Sequence, residues 1–235
     1  MEQTKTELHT HLMGMMTAEG FVDFLSQYLD CIYWPINEPI SNATQTVPIA
    51  SILNDKDALN SLRIPHGEQV DYFTLDDRYS TRTELLKLAA HTTFSKLYDM
   101  LEDNYPNVSN EDKRKIITQQ AETTVYNDYI NRSLQELVNQ NVKYVEISYS
   151  NPRRIASFQI SQNLQDKITC KFLLSTDRSR STRNMKQSAK SLKKILTQGT
   201  SVGVDVMGQE RPFSIEELDY NNSRSFQRKL EILFD

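Results

Sequence analysis

The segment KTELHTHLMG, residues 5–14, decides how the rest of the chain is read. Glu7, His9 and His11 alternate with Leu8, Thr10 and Leu12, a period of two that predicts a strand with both imidazoles on one face. Met13-Gly14 interrupts the alternation, and Thr17 is placed to cap a following helix. That helix carries Phe21, Phe24, Leu25, Tyr28 and Leu29 at the i, i+3, i+4, i+7, i+8 spacing of one buried face. The chain therefore opens with a β-α unit. Two imidazoles at i and i+2 suit zinc or another transition metal, and in a parallel α/β barrel the C-terminal end of a strand carries the chemistry. Two histidines capping a strand and hydrogen-bonded to neighbours fit the same spacing.

Farther along, residues 31–80 lose regular periodicity. Pro35, Pro39, Pro48 and Pro65 punctuate a stretch rich in Asn, Asp and Ser, read here as an insertion with short helices. Thr83 to Glu102 reads as one helix, and Ser109 as the N-cap of a long helix ending near Asn139. Then VKYVEIS (142–148), KITCKFLLS (167–175) and SVGVDVM (201–207) read as strands, with a basic helix over 185–196 and another helix from Phe226 to Phe234. Strands alternating with helices imply parallel pairing through right-handed crossovers. The expected organisation is one α/β domain over 1–235, interrupted by an insertion at about 31–110.

Composition narrows the class. Of 235 residues, 38% are hydrophobic and 25% charged, as in an ordinary globular chain. No apolar run approaches membrane-spanning length, so no membrane partner is expected. Met1 is followed by polar residues without the apolar core of a signal peptide. Cys31 and Cys170 are the only cysteines, too few for a disulfide framework, and they favour a reducing, cytoplasmic setting. Net charge is −4, yet residues 151–194 hold eleven basic side chains against Asp166 and Asp177. Such a run is either a solvated helix face or an anion-binding rim. Arg153 and Arg154 follow the second clear strand; Arg178, Arg180 and Arg183 follow the third. Guanidinium forks at those strand ends suit phosphate oxygens, and predict a phosphate-bearing ligand, a nucleotide or nucleic acid.

A catalytic zinc usually takes three protein ligands and keeps one position open. His66 lies in the irregular insertion and His91 in mid-helix, so neither supplies a third ligand. Asp205 and Glu146 are the acidic candidates on strands; either also fits a buried, hydrogen-bonded strand carboxylate.

Three segments, in order, resemble the adenosine and AMP deaminase family of metal-dependent hydrolases. KTELHTHLMG resembles its opening K-x-E-L-H-x-H-L-x-G strand. NVKYVEISYSNP (141–152) is similar to its G-V-x-Y-x-E-x-R-x-S-P segment, and SVGVDVMGQE (201–210) to its V-V-G-I-D-L-A-G-x-E segment. The resemblance implies the N-terminal half of a (β/α)8 barrel of the metal-dependent hydrolase type. It implies one divalent ion, zinc, on His9 and His11, and removal of the exocyclic amine of an adenine nucleoside or nucleotide by water. It also implies substrate contacts from His11, Met13, Gly14 and Gly208.

The chain departs from the family in places that matter. Met13 stands where the family has an Asp that contacts ribose, and Ser148 where it has an Arg. The H-A-G-E motif, with the family's third metal histidine and catalytic glutamate, has no counterpart, so no catalytic residue is identifiable in this chain. A complete barrel needs roughly 250 residues without insertions. The expectation is therefore the N-terminal portion of a longer protein, or a chain completed by self-assembly or by another polypeptide. The competing readings are a non-catalytic barrel fragment acting in assembly or binding, and a phosphoesterase of the same superfamily. A long insertion together with a phosphorylated substrate also brings to mind the deaminase components of bacterial anti-phage systems, though no motif carries that link.

Overall fold

A computed structural model describes residues 5–35, 44–54, 69–70, 73–74, 82–177, 182–197, 199 and 201–207. The chain divides into two compact units, one of Met1–Met15 with Ile130–Asp235 and one of Met16–Tyr129.

The first unit is α/β, as expected. Its sheet holds β1 (Lys5–His11), β6 (Val142–Tyr149), β7 (Thr169–Asp177) and β8 (Ser201–Met207), all parallel and in that order. The crossovers carry α6 (Pro152–Ser157) between β6 and β7, and α7 (Thr182–Thr197) between β7 and β8. Strand order follows chain order with no reversal, so the sheet is singly wound and lacks the switch point of a doubly wound fold. β6 is entered through Asn141, which leaves the preceding helix at φ 64; an asparagine tolerates that left-handed turn better than most residues. At the other end Asn151 caps α6, its side chain accepting from the Arg153 and Arg154 N–H groups, with Pro152 in the first helical position.

The sheet has two unlike faces. Val145, Ile147, Phe172, Leu174 and Thr176 are buried on one. Register places Tyr144, Glu146, Ser148, Ser175 and Asp205 on the other, which is polar and includes two buried serines. In α7, Leu192 and Ile195 are buried while Lys186, Lys190, Lys193 and Lys194 stay exposed. These four lysines form a solvated face.

The second unit packs α1 (Ala18–Leu25), α3 (Arg82–Ser95), α4 (Leu97–Glu102) and the first part of α5 (Glu111–Asn139) around aromatic side chains. Thr17 caps α1 as its sequence predicts, accepting from the Gly20 N–H at 3.1 Å. Phe94 lies 5.3 Å from Phe21, 4.3 Å from Tyr126 and 5.1 Å from Tyr129, ring centre to ring centre.

Three expectations change here. The single helix over 83–102 is two, broken at Lys96. Hydroxyls of Thr92, Thr93 and Ser95 bond back to carbonyls in the preceding turn, a habit that bends helices. The cap of the long helix is Asn110, not Ser109, because Asn110 Oδ1 accepts from the Lys113 N–H at 2.9 Å. The irregular stretch contains an antiparallel hairpin, β2 (Cys31–Pro35) with β3 (Thr44–Pro48), followed by α2 (Ile49–Asn54), and a two-residue pair, β4 (Gln69–Val70) with β5 (Phe73–Thr74). The helix expected at 226–234 lies outside the described residues. Among the described residues no helix is long and apolar enough to cross a membrane.

Candidate metal centre

The strict alternation expected for β1 does not survive pairing. Register matches Glu7 to Val145 and Thr10 to Ile147, so three steps of β1 span two of β6. One residue is extra, which defines a bulge. Glu7 and His11 consequently lie on opposite faces of the sheet, not on one. The strain of the bulge falls on His9, whose φ is 71, in the region that a side chain disfavours. The bulge turns His9 toward β8 without moving His11 from its place beside Ser148.

The outcome is a three-donor cluster. Among the described residues, donor atoms of His9, His11 and Asp205 all lie within 4.8 Å of one another. His9 Nε2 stands 3.3 Å from Asp205 Oδ2, and the two imidazoles meet edge to face at 5.3 Å between ring centres. Asp205 is 10% exposed and His9 48%, so the carboxylate forms the floor and the imidazole the open side. All three donors sit at or near the C-terminal ends of parallel strands, where α/β sheets bind ligands.

Two ligands about 2.0–2.1 Å from a tetrahedral zinc stand about 3.3 Å apart, which is the His9–Asp205 separation. All three donor atoms lie within 4.8 Å of one another, close enough to share one ion. Two neutral imidazoles and one carboxylate are a usual catalytic zinc set, leaving a fourth position for water. These residues fit a divalent metal. Of the two acidic candidates, Asp205 joins the histidines; Glu146 instead accepts from the Tyr144 hydroxyl at 2.7 Å, which pushes the Tyr144 phenol above its ordinary pKa.

The remaining candidates are dispersed. Met13 is half-buried and Gly14 exposed in the turn after His11, and a Cβ on Gly14 would meet nothing within 4 Å. Arg153 is exposed in the first turn of α6, while Arg154 donates to the Tyr149 hydroxyl at 2.8 Å. Arg183 lies in the first turn of α7; Arg178, Arg180, Gly208 and His66 lie outside the described residues. His91 belongs to the second unit, half-buried with its ring 5.8 Å from Phe21. Lys171, counted in the basic run, donates to the Gly199 carbonyl.

Sequence reasoning did not anticipate that Ser148 and Ser175 support the cluster. Ser148 Oγ donates to Asp205 Oδ2, and the two serine hydroxyls bond one another. The parity of Ser148 and Ser175 within their strands was the available signal; their pairing across strands required the register.

No family model matches the chain, and no curated protein matches it. Solved structures with some likeness include an amidohydrolase from Burkholderia ambifaria with bound Zn, at 13% identity and TM-score 0.41, covering 94% of this chain and 48% of that one. Another is the apo N6-methyl-AMP deaminase from Arabidopsis thaliana, at 12% identity and TM-score 0.41, covering 97% of this chain and 56% of that one. A third is Arabidopsis ADAL complexed with IMP, at 14% identity and TM-score 0.40, covering 97% and 55%. The chain thus spans about half the length of these proteins. Likenesses this distant establish neither a family nor an activity for it.

Proposed function

We propose that this chain supplies the first arc of a (β/α)8 barrel of the metal-dependent hydrolase type, and that His9, His11 and Asp205 hold one divalent ion, zinc, on it. The convergence of these three donors at the C-terminal end of a singly wound parallel sheet carries the reading. The substrate class rests on the ordered sequence segments around His9, Ser148 and Asp205: an adenine nucleoside or nucleotide, converted by water to its inosine form. When bound, such an ion supplies a water acidic enough to be deprotonated near neutral pH.

The chain's own part is to build and aim the site. His9 and His11 offer neutral imidazole lone pairs, and Asp205 offers a negative charge held on the floor. Met13 and Gly14 follow His11 in the turn and are assigned to the substrate side; the sequence resemblance alone assigns Gly208 to the purine. Met13 has no carboxylate to accept from a ribose hydroxyl, so recognition shifts to the phosphate, through Arg153, Arg154, Arg178, Arg180 and Arg183.

Elemental analysis of the purified protein tests the metal, and ammonia release from AMP and adenosine, assayed with this chain as part of a completed barrel, tests the reaction. The expected result is one zinc per chain, lost in His11→Ala, with AMP turned over in preference to adenosine. A chain that takes up no zinc refutes the centre. Zinc without ammonia release refutes the deaminase reading in favour of a binding fragment or a phosphoesterase.

A further inference from the structure

Asp205 Oδ2 faces His9 Nε2 on one side and the Ser148 hydroxyl on the other. The Ser148 hydroxyl in turn meets that of Ser175. Ser148 and Ser175 are 3% and 2% exposed. Ser148, Ser175 and Asp205 come from three neighbouring strands, β6, β7 and β8.

The direction of this chain of bonds follows from proton counting. A carboxylate only accepts, and a serine has one hydroxyl proton to give. The Ser148 proton goes to Asp205, so the Ser148 oxygen accepts from Ser175. The order is Ser175 to Ser148 to Asp205, each bond polarising the next in a buried setting.

We infer that Ser148 and Ser175 are positioning residues, a relay that holds Oδ2 of Asp205 turned toward His9. The inference rests on the metal reading above. His9 is half-exposed and constrains the carboxylate weakly; the buried serines constrain it from behind. Outer partners of this kind orient metal ligands, and their loss typically costs about 10–100-fold in affinity.

The test is titration of zinc alone against a chromophoric chelator, in the full protein and in Ser148→Ala, Ser175→Ala and the double variant. Ser148→Ala weakens zinc binding about tenfold or more. Ser175→Ala weakens it less. The double variant matches Ser148→Ala, because Ser175 reaches Asp205 only through Ser148. Ser148→Thr, which keeps the hydroxyl, restores affinity. Unchanged affinity in Ser148→Ala, or additive losses in the double variant, overturns the relay.

A second readout needs no metal. Nitrogen-15 shifts of the metal-free protein at pH 8 report the His9 tautomer. The wild type shows Nε2–H, held by Asp205; Ser148→Ala shows a mixture. If the wild type binds no zinc, the metal reading fails on its own, and an unchanged tautomer in Ser148→Ala still overturns the relay.

Discussion

His9 is the residue at which function and backbone preference oppose each other, and two substitutions separate them. His9 has φ 71 inside a strand, whereas His11 is extended at φ −82 and ψ 138. A left-handed conformation costs a residue with a Cβ roughly 1–2 kcal/mol, and glycine almost nothing. Glycine in an ordinary strand position is worse than alanine by roughly 0.5–1 kcal/mol, through the entropy of the unfolded chain. Both His9→Gly and His9→Ala lose the contact with Asp205, so that loss cancels between them. What remains is relief of strain minus the glycine entropy cost. His9→Gly should therefore be more stable than His9→Ala by about 0.5–1 kcal/mol. At His11 the same pair should invert, glycine being less stable by a similar amount. The assay is urea unfolding of chelator-treated protein, since a bound ion would mask the difference. With slopes of about 1–3 kcal/mol/M, the His9 pair should be separated by a few tenths of a molar in midpoint. Zinc affinity should fall alike in both His9 variants. A His9→Gly variant less stable than His9→Ala would refute the left-handed bulge and the account of how His9 reaches Asp205.

Asp205→Asn keeps the shape of the side chain but removes its charge; zinc affinity should drop at least about tenfold by chelator competition, since an anionic ligand becomes a neutral amide. Thr93→Val should destabilise the second unit by about 1–3 kcal/mol in urea unfolding. The buried Thr93 hydroxyl accepts from the Tyr33 N–H at 2.9 Å, and valine leaves that donor unmet. Burial pushes the Cys170 thiol up from its ordinary 9.0 to about 12. Iodoacetamide at pH 8 should leave Cys170 unmodified in the folded protein and modify it in urea, as read by mass spectrometry. The fold favours the neutral thiol, so this group's contribution to stability is complete below pH 9 and is lost as pH rises toward 12.

Local periodicity accounts for the elements that were legible in advance. VKYVEIS and SVGVDVM read as strands, and TRNMKQSAKSLKKILT contains the expected basic helix, because burial of one face imposes its period wherever the partner lies. The β2–β3 hairpin escaped because its strands are short and end at Pro35 and Pro48, residues that also mark loops. The break at Lys96 escaped because the apolar pattern runs on through it while the hydroxyls of Thr92, Thr93 and Ser95 bend the backbone. Glu7 was placed on the wrong face because one extra residue leaves no mark on an alternating sequence; it exists only relative to β6.

The α/β class, the parallel sheet and the presence of two imidazoles near a strand end could be read from the chain, since each follows from residue spacing along one element. Which acid joins them, and how it is held, depends on strand pairing. Asp205 and Glu146 are alike as strand carboxylates, and register alone sets Asp205 on β8 within 3.3 Å of His9 and against Ser148, while Glu146 turns to Tyr144. A third donor on a distant strand is a property of pairing, and pairing is written in no single segment.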